Sequence, residues 1–151
     1  MVAPVSTVPA VRAYLVAQFT AATAYILEPP VEVYQSVEDH LGEADLVIVE
    51  GAARTLGGFE MVGGGGAGWL MESYTVSVSI ECHVHGERPY PGVDDRAYLI
   101  LGLLEQAVRA DPSLGGLVIE GRPAGSTSTH QTDAEGGNCV IAASFHFMTQ
   151  Q

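Results

Sequence analysis

A chain of 151 residues has the length of one domain and is long enough to bury a core of its own. Eighteen acids stand against six arginines with no lysine, a formal net charge of -12. That balance excludes a protein that grips a nucleic-acid backbone, which needs Lys and Arg to neutralise phosphates; it suits a soluble monomer, or the wall of a passage through which DNA slides without sticking.

Ser6 or Thr7 can cap a first helix, with Pro9 tolerated in its first turn. Val8, Val11, Leu15, Phe19 and Ala22 recur at helical spacing and predict an amphipathic helix from about Val8 to Ala24, ended by Pro29-Pro30. Val31–Gln35 alternates as a short strand, and the denser Asp45–Glu50 reads as a strand covered on both faces. The polar stretch Ser36–Ala44 between them reads as a loop or a short turn of helix. Gly51–Leu70, with Gly57-Gly58 and the run Gly63–Gly66, reads as a long irregular arm or a glycine-tipped hairpin projecting from the fold.

Glu72–His85 has a period of two. Val76, Val78, Ile80, Cys82 and Val84 form one face, and Thr75, Ser77, Ser79, Glu81, His83 and His85 the other. One side meets a core and the other meets water or a partner. Gly86–Val93 is a Pro/Gly turn, after which Asp94 or Asp95 can cap a second helix running to Ala110 and closed by Asp111-Pro112 and Gly115-Gly116. Its predicted buried stripe is Ala97, Leu101, Leu104 and Val108, widened by Leu99, Ile100 and Leu103. Leu117–Glu120 reads as a strand, Gly121–Asn138 as a second long polar loop, and Cys139–Met148 as a closing strand with Cys139, Ile141, Ala143, Phe145 and Phe147 on one face. The expected class is α+β, a mainly antiparallel sheet with two helices packed on one face and two long projecting loops, in a single domain over residues 1–151.

Two cysteines, Cys82 and Cys139, cannot define a disulfide framework and read as buried thiols. A basic n-region and a long apolar run are both missing, so the expectation is a soluble protein of a reducing cytosol with no membrane contact.

Chemistry-bearing residues are sparse. Cys82-His83-Val84-His85, with His130, Cys139 and His146 elsewhere, offers zinc-type donors, but strand alternation puts Cys82 on the face opposite His83 and His85. The His-x-His pair reads as an exposed polar strand face, with a metal-dependent enzyme as the rival reading. The glycine run lacks the Lys and Ser/Thr of a phosphate loop, so no cofactor is expected. Ser126, Ser128, His130 and Asp133 have the residue types of a hydrolytic triad without a nucleophile elbow. Trp69 reads equally as an anchor for a partner and as a core residue. The expectation is a protein that is not an enzyme and carries no metal.

The opening T-V-P-A-V-R-A-Y-L, the strand E-S-Y-T-V-S-V-S-I-E and the segment D-D-R-A-Y-L-I-L-G-L-L-E-Q-A-V-R-A-D-P-S-L-G-G together resemble the tail terminator proteins of long-tailed, siphovirus-type bacteriophages of actinobacteria. The resemblance covers nearly the whole chain and rests on pattern and order, most of all on D-R-A-Y through A-V-R-A-D-P-S-L-G-G. It implies a virion protein at the head-proximal end of the tail, assembled in the host cytoplasm. There a homo-oligomeric ring, hexameric by that resemblance, caps the tail tube protein and ends its polymerisation. The ring then joins the head-tail connector or head-closure protein, and DNA passes through its lumen. On this reading Arg54, Phe59 and Trp69 of the first arm, and Arg122, His130 and Asp133 of the second, are expected at contacts with neighbouring subunits or the tube. Thr75, Ser77, Ser79, Glu81, His83 and His85 are expected at the lumen or a subunit joint. The rivals are another head-tail joining or tail-tube protein on the same fold, and a small metal-binding enzyme.

Overall fold

The computed structural model describes residues 6–26, 30–35, 44–60, 69–83, 90–133 and 136–150. In chain order its elements are α1 (Val8–Thr23), β1 (Val31–Tyr34), β2 (Asp45–Glu60), β3 (Trp69–His83), α2 (Tyr90–Ala110), β4 (Glu120–Asp133) and β5 (Gly136–Gln150). Val84, His85, Gly63–Gly66 and residues 36–43 lie outside the described residues.

The α1 stripe is Val11, Leu15, Phe19 and Thr23, each four residues on from the last, which stacks them on one face. Thr23 ends this row in place of Ala22, and its hydroxyl is satisfied by the Phe19 carbonyl at 2.8 Å. Thr7 stands at the N-cap position without a side-chain capping bond, while Ser6 Oγ accepts from the Val8 amide at 3.2 Å.

The second helix starts at Tyr90, four residues before the predicted cap. Pro91 falls in its first turn, where a fixed φ is compatible with the helix and the missing N–H costs nothing. Asp94 and Asp95 therefore sit a turn inside α2 rather than capping it. The predicted stripe Ala97, Leu101, Leu104 and Val108 is buried, joined by Val93 and Ile100, whereas Leu99 remains 52% exposed.

The sheet order is β1-β2-β3-β5-β4, with β1 parallel to β2 and every other pair antiparallel. Alternation along β3 and β5 is regular: Tyr74, Val76, Val78 and Ile80 lie opposite Phe147, Phe145, Ala143 and Ile141, all buried on one face. Val47 and Val49 of β2 extend that face, and both helices close over it as one hydrophobic core. Phe19 of α1 meets Phe145 at 5.7 Å between ring centroids, and Tyr74 meets Phe147 at the same separation. The α+β class with two helices on one face of a mainly antiparallel sheet is thus the observed architecture.

The two segments read as irregular arms are strands over most of their length. Gly51–Glu60 continues β2 and pairs with β3 as far as Glu60–Trp69, and Gly121–Asp133 makes up nearly all of β4, paired along β5. Leu117–Ile119, read as strand, belongs to the turn before β4.

Register shifts at three places, Val49/Ala52, Gly57/Phe59 and Pro123/Gly125, change which residues the strands turn toward the helices. Between Val49 and Ala52, two β2 residues oppose one on β3, and between Pro123 and Gly125, Ala124 is the extra residue of β4, next to a Gly125 with φ 144°. Each bulge exchanges odd for even residues on the covered face. Before the β4 bulge Gly121 and Pro123 lie opposite Phe147 and Phe145; after it Ser126, Ser128 and His130 lie opposite Ala143, Ile141 and Cys139.

The turn after α2 winds through positive φ at Leu114 (49°), Gly115 (67°) and Gly116 (90°). The Asp111 carboxylate holds it together, accepting from Ser113 Oγ at 2.9 Å, the Gly115 amide at 2.7 Å and Tyr14 Oη of α1 at 3.0 Å. The D-P-S-L-G-G segment is therefore a clasp between the end of α2 and the middle of α1.

Candidate functional site

Both helices occupy one face of the sheet, so the other is bare of helix among the described elements. Its centre is small and polar. Thr75, Ser77, Ser79, Glu81 and His83 of β3 stand in register with His146, Ser144, Ala142, Val140 and Asn138 of β5, and Arg122, Thr127 and Thr129 of β4 continue the rows outward. Most of these side chains are half-buried, and Ser77, Ala142, Arg122, Thr127 and Thr129 are exposed. Thr75 Oγ1 and His146 Nδ1 lie 3.4 Å apart. The predicted β3 face is therefore assembled as one surface as far as His83; His85 is outside the described residues. Beside it, Glu120, Arg122, His146 and Met148 line a shallow cleft of about 190 Å³, smaller than a usual small-molecule pocket of about 300 Å³ or more.

The β2–β3 hairpin is the first arm. Beyond its first bulge β2 pairs only with β3, so the outer edge of Gly51–Glu60 has no strand beside it among the described residues. Residues 53–57 are exposed, Leu56 at 47%. Arg54 lies on this arm, and Phe59 and Trp69 face Leu70 and Glu60 across its far end; backbone register is all that is described of those two. Three predicted contact residues thus share one hairpin.

Arg54 is anchored rather than idle. It pairs with Glu72, whose side chain is fully buried. Glu72 also accepts from the Thr7 amide and hydroxyl at 3.2 Å each, and the Thr7 hydroxyl meets Tyr74 Oη at 2.8 Å. This explains why Thr7 does not cap its own helix: its hydroxyl is committed to the sheet, and Glu72 supplies the negative charge at the α1 N-terminus. Burial alone would raise the Glu72 pKa, but bonds from Ser6, Arg54 and Thr7 hold it below the usual carboxylate value.

A second buried pair joins Asp45, at the start of β2, to Arg96 of α2. Asp45 also accepts from the His83 amide at 3.3 Å, tying the helix to two adjacent strands.

The second arm is the β4–β5 hairpin, and β4 is the sheet's other outer strand. Arg122 is exposed on it, and Asp133 lies at its end opposite Gly136, with register alone described. His130 is engaged within the chain: its Nε2 lies 2.6 Å from Asp94 Oδ1. Cys139 Sγ donates to the same oxygen at 3.2 Å. One helical turn on, Tyr98 Oη donates to Ser128 Oγ at 2.9 Å. Asp94 is held below the ordinary carboxylate range by the His130 and Cys139 bonds, and burial with the neighbouring Asp94 carboxylate pushes the Cys139 thiol up to about 11. Burial, then the Asp45 charge, raises the Cys82 thiol as well.

The alternation argument holds as far as His83: Cys82 is buried on the core face and His83 lies on the open face, while His85 is outside the described residues. The juxtaposition of Asp94, His130 and Cys139 is one that sequence reasoning misses, because it depends on the β4 bulge and on a helix that begins before Asp94. Gly125 close behind a proline, a possible bulge signal, is the one local hint. Ser126, Ser128 and His130, the residue types of a triad, are successive residues of one strand face.

No protein-family model matches the chain, and no curated protein matches it. Among solved structures it aligns with a chain described as "Virion of native gene transfer agent (GTA) particle", at a TM-score of 0.45 and 10% identity, covering 95% of this chain and 98% of that one.

Proposed function

We propose that the protein is a structural virion subunit, a tail terminator whose ring caps the tail tube, ends its growth and forms the joining surface to the head. The observation that carries this reading is a sheet with one largely polar face that no helix covers among the described residues, and with open edges there along the distal half of β2 and all of β4. Such edges are templates for strand pairing with another chain. Located at opposite sides of the sheet, they suit head-to-tail contacts that close into a ring. The polar face then turns toward the lumen, where, among the described residues, Ser, Thr, Ala and Glu81 surround a single arginine, Arg122, and an acidic chain without lysine gives phosphates little to grip. The sequence resemblance supplies the terminator role and the six-fold number.

In this mechanism one face of the ring copies the contacts between tube subunits and the other does not, so adding the ring removes the growing end. The two hairpins, bearing Arg54, Phe59 and Trp69 and Arg122 and Asp133, reach the neighbouring subunit or the tube. His130 contributes there through its bond to Asp94, which fixes the β4 hairpin against α2.

Electron microscopy of the purified protein at high concentration tests the reading. Closed rings of one size with a central hole are expected, and adding them to polymerising tube protein should arrest growth. Long tubes from this chain alone would make it a tube protein, and rings that leave tube growth unchanged would point to a head-closure role.

A further inference from the structure

We propose that Asp94, His130 and Cys139 form a binding site for a zinc-class divalent metal ion, joining α2, β4 and β5. Each residue offers one ligand atom, and the three atoms lie within 4.8 Å of one another. They come from three elements: Asp94 from the second turn of α2, His130 from β4 just past the bulge, and Cys139 from the directly opposed position on β5.

The donor set decides the metal. One thiolate, one imidazole nitrogen and one carboxylate oxygen make a borderline-soft, three-ligand set. That suits zinc and disfavours magnesium or calcium, which take oxygen shells. Zinc bonds of about 2.0–2.3 Å imply donors about 3.3–3.8 Å apart in a tetrahedron. The observed 3.2 Å from Cys139 Sγ to Asp94 Oδ1 is close to this, and the 2.6 Å from His130 Nε2 to Asp94 must widen by about an ångström. Both side chains have room to part, His130 being 40% and Asp94 38% exposed. Their exposure also gives the ion a route in, and in the proposed site water completes the coordination, while Cys139 anchors it from the buried side.

The proton balance is simple. The Cys139 thiol gives up its proton to solvent as the metal–sulfur bond forms. If His130 ligates through Nε2, its proton moves to Nδ1. One proton leaves per ion bound.

The test uses the tag-free full-length chain, stripped with chelator and kept reduced, titrated with Zn²⁺ by calorimetry and with Co²⁺ by absorbance. One equivalent of either should bind, Zn²⁺ should raise the thermal midpoint, and Co²⁺ should give a thiolate-to-cobalt charge-transfer band. Cys139→Ser, its fold checked by circular dichroism, should lose the band. His130→Ala and Asp94→Asn should weaken Zn²⁺ binding by about tenfold or more, since loss of even an outer partner costs that much. Cys82→Ser should retain the band, because Cys82 adjoins Cys139 in register but is not one of the three. No charge-transfer band in the wild-type chain, a band that survives Cys139→Ser, or affinity unmoved in both His130→Ala and Asp94→Asn would each overturn the site. The cluster would then be a hydrogen-bonded latch alone.

Discussion

Glu72 is an acid placed where an apolar residue would ordinarily close the core, and its charge is kept by bonds from α1 and Arg54. A carboxylate whose folded pKa is depressed contributes stability above its unfolded value, near 4.5, and that contribution is lost as pH falls through the folded pKa. Asp94 and Asp111 are depressed too and act in the same direction. Thermal midpoints measured from pH 7 down to 3 should therefore fall once pH drops below about 4.5. Glu72→Gln should be less stable than wild type by about 1.5–3 kcal/mol at neutral pH, the range for a hydrogen bond to a charged group. Its midpoint should also fall less steeply with acid, and a parallel profile would show that Glu72 is not a source of the acid sensitivity. Gly121 answers to sterics instead. A Cβ there would meet the Phe147 ring at 2.7 Å and the Pro112 carbonyl at 3.1 Å. Gly121→Ala should thus cost about 1–3 kcal/mol of overpacking in denaturant unfolding, although alanine is usually a mild replacement.

At the scale of elements, legibility follows burial. The α1 and α2 stripes and the β3 alternation are readable because each has one covered face, which imposes a period of 3.6 or 2 on the apolar residues. The hairpin arms are not. Gly51–Gly57 and Gly121–His130 are largely exposed on both faces, so nothing forces apolar alternation, and Gly, Ser, Thr and Pro there read as loop. Their strand character comes from pairing with β3 and β5, a partner a local reading cannot see. The bulges hide the rest: alternation carried on from Pro123 would turn Thr127 and Thr129 toward the helices, and the extra Ala124 brings Ser128 and His130 there instead. The candidate contact residues are therefore legible as members of arms, while the Asp94–His130–Cys139 cluster is not legible as a unit. If the first arm is a subunit contact, the half of Leu56 that is exposed becomes buried on assembly, worth about 0.7–1.5 kcal/mol per contact. Leu56→Gln, which adds no charge opposite the buried Glu72, should leave the monomer's unfolding midpoint nearly unchanged and reduce ring formation severalfold in sedimentation velocity. Undiminished rings would place the joint elsewhere.

For the whole molecule, charge sets the conditions under which the proposed ring would assemble. Each subunit carries a net charge of -12, so closing a ring brings like-charged bodies together, and long-range repulsion opposes the strand-edge and apolar contacts that would hold it. Salt screens that repulsion: the Debye length falls from about 30 Å at 0.01 M to about 8 Å at 0.15 M and about 3 Å at 1 M. The contacts proposed at the edges are backbone hydrogen bonds and apolar burial, which salt weakens little. Raising ionic strength from about 0.01 to 0.5 M should therefore shift the population from monomer toward ring, the reverse of the behaviour of an interface built on ion pairs between subunits. Sedimentation velocity at fixed protein concentration across that range reads the sign directly. A ring that dissociates as salt rises would mean that Arg54 and Arg122 bridge to acids of the neighbouring subunit, with ion pairing rather than strand edges holding the joint. A monomer at every ionic strength would count against a ring held by this chain's own strand edges.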